Sequence, residues 1–185
     1  MPMAGKRKSS APEQGGALQI KALDAQGRFA GYASVFDVVD SQRDRVRRGA
    51  FRHSLVGRKS PVQLLWQHQW EHPIGTIERL FEDERGLYME GTLLLAVEKA
   101  REAYALLKAG ALNGLSIGYQ AKQARRDPDS GVRDLLKIDL WEVSIVTLPA
   151  NAAATVTVVK NAVPDALALD ALASALAQAQ RALRV

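Results

Sequence analysis

Ser116 lies in Leu112-Asn113-Gly114-Leu115-Ser116-Ile117-Gly118-Tyr119, a segment that alternates as a β-strand does. Successive side chains of a strand face opposite ways, so Leu115, Ile117 and Tyr119 share one face and Gly114, Ser116 and Gly118 the other. The pattern predicts a nucleophile-capable oxygen with open space on both sides, where an extended substrate can approach the backbone. The alternative is a glycine-rich edge strand carrying an incidental serine. A serine nucleophile needs a base, and the base needs an orienting acid. Three histidines are available: His53, His68 and His72. His53 stands among Arg52, Ser54 and Arg58 in a predicted short helix, a solvated setting. His68 ends the run Pro61-Val62-Gln63-Leu64-Leu65-Trp66-Gln67-His68. Alternation there places it at the mouth of an apolar strand, either as a base or as a half-buried histidine bonded to backbone. His72 follows in a predicted loop, just before Pro73.

The acid comes from Leu140-Trp141-Glu142-Val143-Ser144-Ile145-Val146-Thr147-Leu148. Strict alternation puts Leu140, Glu142, Ser144, Val146 and Leu148 on one face, with Glu142 on an otherwise apolar stripe. A buried carboxylate is costly unless paired. Glu142 therefore calls for a partner: a histidine from another strand, or an arginine or backbone N–H groups in a purely structural role. Ser144 is a rival nucleophile, but Val143, Ile145 and Val146 crowd it. No metal site is expected. His68 and His72 are four apart, yet Trp70-Glu71-His72-Pro73 does not read as the helix that such a zinc motif needs. No cofactor is expected either, since there is neither a phosphate loop nor a dinucleotide fingerprint. The run Arg43, Arg45, Arg47 and Arg48, with Asp40 and Asp44 interleaved, reads as a solvated loop. It has no aromatic residues for base stacking, so no nucleic-acid partner is expected.

The elements that must position these residues are mostly short strands. Segments 18–23 and 28–36 read as a hairpin around Asp24-Ala25-Gln26-Gly27. Strands 61–68, 74–81 and 87–95 follow, the last two joined at Asp83-Glu84-Arg85-Gly86. The Ser116 strand pairs with 132–148 through Asp127-Pro128-Asp129-Ser130-Gly131. Helices are predicted over 49–56 and 98–109, the second stopped by Gly110. A third, over 164–183, repeats Leu169, Leu172, Leu176, Ala179 and Leu183 as one narrow seam suited to packing or self-association. The fold class is mainly β with helices (α+β), an antiparallel or mixed barrel with peripheral helices. Residues 1–16 read as a disordered basic tail, 17–160 as the barrel domain and 161–185 as the amphipathic helix.

Composition fits one soluble domain: 185 residues, 47% hydrophobic and 24% charged, with a net charge of +5. No apolar run is long enough for a membrane helix, and the basic N-terminus lacks the apolar stretch of a secretory signal. With no cysteine, thiolate catalysis, disulfides and cysteine-ligated zinc are excluded.

Several segments together resemble the caudovirus (tailed-phage) prohead serine proteases, gene-transfer-agent versions included. They are Gly31-Tyr32-Ala33-Ser34-Val35-Phe36, Gly49-Ala50-Phe51, Leu64-Leu65-Trp66-Gln67-His68, Pro73-Ile74-Gly75, Arg85-Gly86-Leu87-Tyr88, the stretch from Ala109 through Tyr119, and Leu140-Trp141-Glu142-Val143-Ser144 running on to Pro149-Ala150-Asn151. The resemblance spans residues 18–160. It implies an assemblin-like β-barrel and an endopeptidase that cuts the scaffolding part of the major capsid protein precursor, and itself, during head maturation. It places the protein inside the procapsid in the host bacterial cytoplasm, with no membrane partner. Carried over by motif, His68, Ser116 and Glu142 are the catalytic residues. Assemblin relatives use a second histidine in the third position, which leaves His72 as the alternative to Glu142. The stretch from Asp40 to Arg48 departs from the family, being arginine-rich where relatives are more acidic. A non-enzymatic barrel that binds capsid or scaffold is the other reading.

Overall fold

The computed structural model describes residues 23–58 and 60–157. The tail over 1–16, all but the last residue of the predicted strand 18–23, and the helix over 164–183 lie outside the described residues. Eight strands and two helices occur in the order β1 (Arg28–Val35), β2 (Asp44–Val46), α1 (Arg52–Leu55), β3 (Gln63–Trp66), β4 (Gln69–Glu82), β5 (Gly86–Leu93), α2 (Glu98–Lys108), β6 (Gly114–Arg126), β7 (Arg133–Val146) and β8 (Val156–Thr157). The mainly-β, mixed architecture is the one expected. Among the described residues, no helix is long and apolar enough to cross a membrane.

The long β6–β7 hairpin is the frame. Asp127 closes its turn by accepting the N–H groups of Asp129 and Ser130 on its carboxylate, as an aspartate at a turn start does. On the edge of β7 away from β6, β2 pairs with residues 133–135 and β3 with residues 142–145, both parallel. Antiparallel pairing then runs β3–β4–β5–β1–β8. The ring closes where Leu115 N–H donates to the Ala154 carbonyl (3.0 Å) and Val156 N–H to that of Asn113 (2.9 Å). The segment just before and into β8 thus bridges β1 to the start of β6.

The barrel interior holds Phe29, Leu64, Ile74, Leu87, Met89, Leu115, Ile138, Leu140, Val143 and Ile145. Helix α2 lays Ala100, Ala103 and Leu107 against it, the i, i+3, i+7 face of an amphipathic helix. Gly110, at φ 71°, stops the chain there as predicted.

Several expectations need correction. The predicted helix 49–56 shrinks to the four residues of α1, on which His53 is exposed. Strands β2 and β8 have only three and two residues and were not anticipated. His72 and Pro73 are not in a loop but inside β4, where the ladder is irregular around the Leu65–Pro73 pair. Proline lacks the N–H that a regular ladder needs, so such a break is its natural place. The arginines are not simply solvated: Arg45 pairs with Asp134 (2.7 Å), Arg47 with Asp37 (2.8 Å), and Arg43 donates to the Ser130 carbonyl.

Candidate active site

The core-facing residues of β7 are Ile138 and Leu140 before Trp141, and Val143 and Ile145 after it. The parity changes because β7 carries one extra residue at Trp141: Gly118 faces Glu142, while Tyr119 faces Leu140. A bulge of this kind re-aims the side chains beyond it. Glu142 therefore does not share a stripe with Leu140, as strict alternation had it. It lies with Ser144 on the outer face of the barrel, beside Ser116 and Gly118 of β6, whose ladder partners are Ser144 and Glu142.

The glycines flanking Ser116 are correspondingly not open ground for a substrate. A Cβ on Gly118 would fall 2.3 Å from Glu142 Oε1, and one on Gly114 would fall 2.8 Å from Pro149 Cδ. Gly118 is the slot that admits the carboxylate. Gly114 lets the chain after β7 fold back over β6.

His68 reaches this face through a tight turn. Trp66 pairs with Gln69, leaving Gln67 and His68 as a two-residue hairpin loop at φ 51° and 61°. Two positive φ values define a type I′ turn, a conformation that favours Asn and Gly and strains residues with larger side chains. Had the strand continued, His68 would have followed Leu64 and Trp66 toward the core. The turn instead swings the imidazole over β7. Gln67 secures the turn, donating its N–H to the Ile145 carbonyl (3.0 Å) and its Nε2 to Thr147 Oγ1 (2.7 Å).

The three polar residues then interlock. His68 Nδ1 lies 2.6 Å from Glu142 Oε1. Ser144 Oγ donates to Glu142 Oε2 (2.8 Å) and accepts the His68 backbone N–H (3.0 Å). Glu142 is 2% exposed, whereas the His68 side chain is 45% exposed. The Glu142 hydrogen bond raises the His68 pKa above its usual 6.5, outweighing the opposing effect of burial. With Nδ1–H committed to the carboxylate, Nε2 is the nitrogen left to accept a proton.

Ser116 and His68 line one cleft of about 700 Å³, together with Ile117, Gly118, Tyr119, Asp40, Asp44, Arg133, Ala150 and Asn151 among others. Ser116 is 8% exposed. Ser144, the rival nucleophile, is 0% exposed and its hydroxyl is already engaged. His72 is exposed on β4 and does not line the cleft. At the far end Arg133 forks onto Asp44, and Tyr119 donates to it (2.9 Å). Burial opposes ionisation of Asp44, but these partners outweigh it and hold its carboxyl below the usual range. This network went unforeseen; the only signal was Asp44 within an arginine-rich run.

Residues 16–167 match the family described as caudovirus prohead serine protease. The chain belongs to that family. Over 138 residues, 74% of its length, it is 35% identical to the prohead protease of Enterobacteria phage HK97, and it spans 61% of that protein. It is 34% identical over 151 residues, 78% of its length, to the capsid polyprotein of Pseudomonas phage PAJU2, of which it covers 22%. The solved structure of KSHV protease in complex with a hexapeptide phosphonate inhibitor superposes with a TM-score of 0.50 at 15% identity, covering 70% of this chain and 63% of that one. The fold is thus shared between this prohead protease family member and a herpesvirus protease.

Proposed function

We propose that the chain is a serine endopeptidase that matures the procapsid, with Ser116 as nucleophile, His68 as general base and Glu142 as the acid that orients it. The observation that carries this reading is the cleft itself: a serine and a histidine on one lining, the histidine's other nitrogen bonded to a buried carboxylate. Ser116 Oγ attacks the scissile carbonyl, and His68 Nε2 takes its proton and later gives one to the leaving amine. Glu142 fixes the tautomer and stabilises the imidazolium. Glu142 is preferred to His72 because, of the two, Glu142 is the one hydrogen-bonded to the His68 ring. Ala150 and Asn151 line the cleft, and their backbone N–H groups donate to no protein group among the described residues. They are the candidate donors for the oxyanion.

The substrate binds as an added strand. The Leu115 N–H points away from β7, toward Ala154. By the alternation of an antiparallel ladder, the backbone groups of Ile117 and Tyr119 point the same way, along the edge of β6 that lines the cleft. An extended peptide can pair with that edge past the nucleophile.

The substrate is the scaffolding part of the major capsid protein precursor, together with the protease itself, inside the procapsid in the host cytoplasm. The similarity to a phage capsid polyprotein supports a close tie between such domains and capsid protein. Residues 17–160 form the proteolytic domain, and the segment over 161–185 serves packing or self-association. The test is co-expression with the cognate capsid precursor, read by intact mass. The wild type should remove the N-terminal or scaffolding segment. Ser116→Ala should leave the precursor whole, since loss of such a nucleophile costs on the order of 10⁴–10⁶ in rate. Equal processing by both would sink the assignment. Binding without cleavage by both would favour the non-enzymatic reading.

A further inference from the structure

We infer that Ser144 is a positioning residue of this site: its hydroxyl ties the Glu142 carboxylate to the His68 turn and holds the acid–base pair in register with Ser116. The inference rests on the proteolytic reading above. Ser144 is wholly buried, and its hydroxyl serves two groups at once, accepting the His68 N–H and donating to Glu142 Oε2. Without it, a buried carboxylate oxygen and the backbone N–H of a left-handed residue would both lack this partner, and such losses are costly in a buried setting. The turn itself needs restraint, because neither Gln67 nor His68 favours the positive φ it adopts. Ser144 is also the ladder partner of Ser116. One residue of β7 therefore meets the nucleophile's strand on one side and the base's backbone on the other.

The arrangement also bears on proton affinity. Glu142 is the charged group that acts on His68. The other charges on the cleft are Asp40, Asp44 and Arg133, and Asp44 and Arg133 are bonded to each other. On β4 next to the turn, Glu71 and His72 face solvent. Below the site, Arg58 donates to the Leu140 carbonyl. By donating to Glu142 Oε2, Ser144 draws off part of the carboxylate's charge. Removing that bond concentrates the charge on the oxygen facing His68, so the imidazole holds its proton more tightly. His68 must be neutral to act as base, and the acidic limb of the rate profile must then move to higher pH.

The test uses the full chain. Ser144→Ala should lower kcat/KM by roughly 10–100-fold and raise the acidic limb by on the order of half to one pH unit. Ser144→Cys, a similar-sized side chain with a weaker donor, should fall between it and wild type. It also supplies the measurement if Ser144→Ala does not fold. In parallel, NMR titration of His68 should show the same upward shift in Ser116→Ala/Ser144→Ala relative to Ser116→Ala. That comparison requires no turnover, so it stays informative even if the protein cleaves nothing. An unmoved His68 titration and an unmoved acidic limb, whatever happens to the rate, would reduce Ser144 to a packing residue and overturn the inference.

Discussion

Adding one methyl group at Gly118 should disable the site from a position that need not touch substrate. The Cβ of Gly118→Ala would sit 2.3 Å from Glu142 Oε1 and 2.9 Å from both Cγ and Cδ, against an ordinary contact of about 3.4 Å. The carboxylate must therefore move by about 1 Å. It cannot do so freely, because it is buried and Ser144 holds its other oxygen. The 2.6 Å contact with His68 Nδ1 is what gives way. A misplacement of about 1 Å costs on the order of 10²-fold in rate, and complete loss of the orienting acid about 10⁴-fold. Gly118→Ala should fall between these values. Overpacking should also cost roughly 1–3 kcal/mol, a fall in Tm of about 2–4 °C per kcal/mol for a chain of this size. With Glu142 displaced, the His68 pKa drops and the acidic limb moves to lower pH, opposite in sign to the effect of removing the Ser144 hydroxyl. The assay is a pH–rate profile on one peptide substrate alongside thermal unfolding. Wild-type kcat/KM with an unchanged Tm would show that the Gly118 slot does not hold the carboxylate in place.

Glu142→Gln should keep the fold but lose about 10⁴ in kcat through the wrong imidazole tautomer, with its residual acidic limb shifted down, while His72→Gln should leave both rate and profile nearly unchanged. The reverse pattern in those profiles would make the third member His72. Because His68 has a raised folded pKa, the stability gained from its ion pair is fully present below about pH 6.5 and is lost as pH rises through that raised value. Denaturant unfolding across this window should show the loss in wild type and not in Glu142→Gln. Finally, residues 17–160 expressed alone should fold and cut peptide but associate less than the full chain, by light scattering; an unfolded fragment would assign the C-terminal segment to the core.

What could be read from the sequence was short-range. Asp24-Ala25-Gln26-Gly27, Asp127-Pro128-Asp129-Ser130-Gly131 and the Gly110 stop announce themselves within a few residues, and the structure keeps all three. Ser116, His68 and Glu142 were singled out by residue type and approximate face; the fold sets Ser116 and His68 on one cleft and buries Glu142 against His68. The errors arose where geometry depends on a distant strand. The bulge at Trp141 reverses the parity of β7, and no local residue signals it. The His68 turn contains neither Asn nor Gly, so the strand pattern ran through it undetected. Gly118 looked like vacant space because its occupant belongs to β7. Strands β2 and β8 are too short to show alternation and exist only through partners far along the chain.

Barrel closure falls to residues 154–157, and this gives the molecule a timetable. Synthesis delivers His68, Ser116 and Glu142 in that order, all before the segment that joins β1 to β6. Until it arrives, the Leu115 N–H has no Ala154 carbonyl to meet, and the strand carrying Ser116 is anchored on one side only. Contacts between such distant parts of a chain form late. A nascent chain on the ribosome thus holds all three of these side chains before it has the closed frame that aligns them.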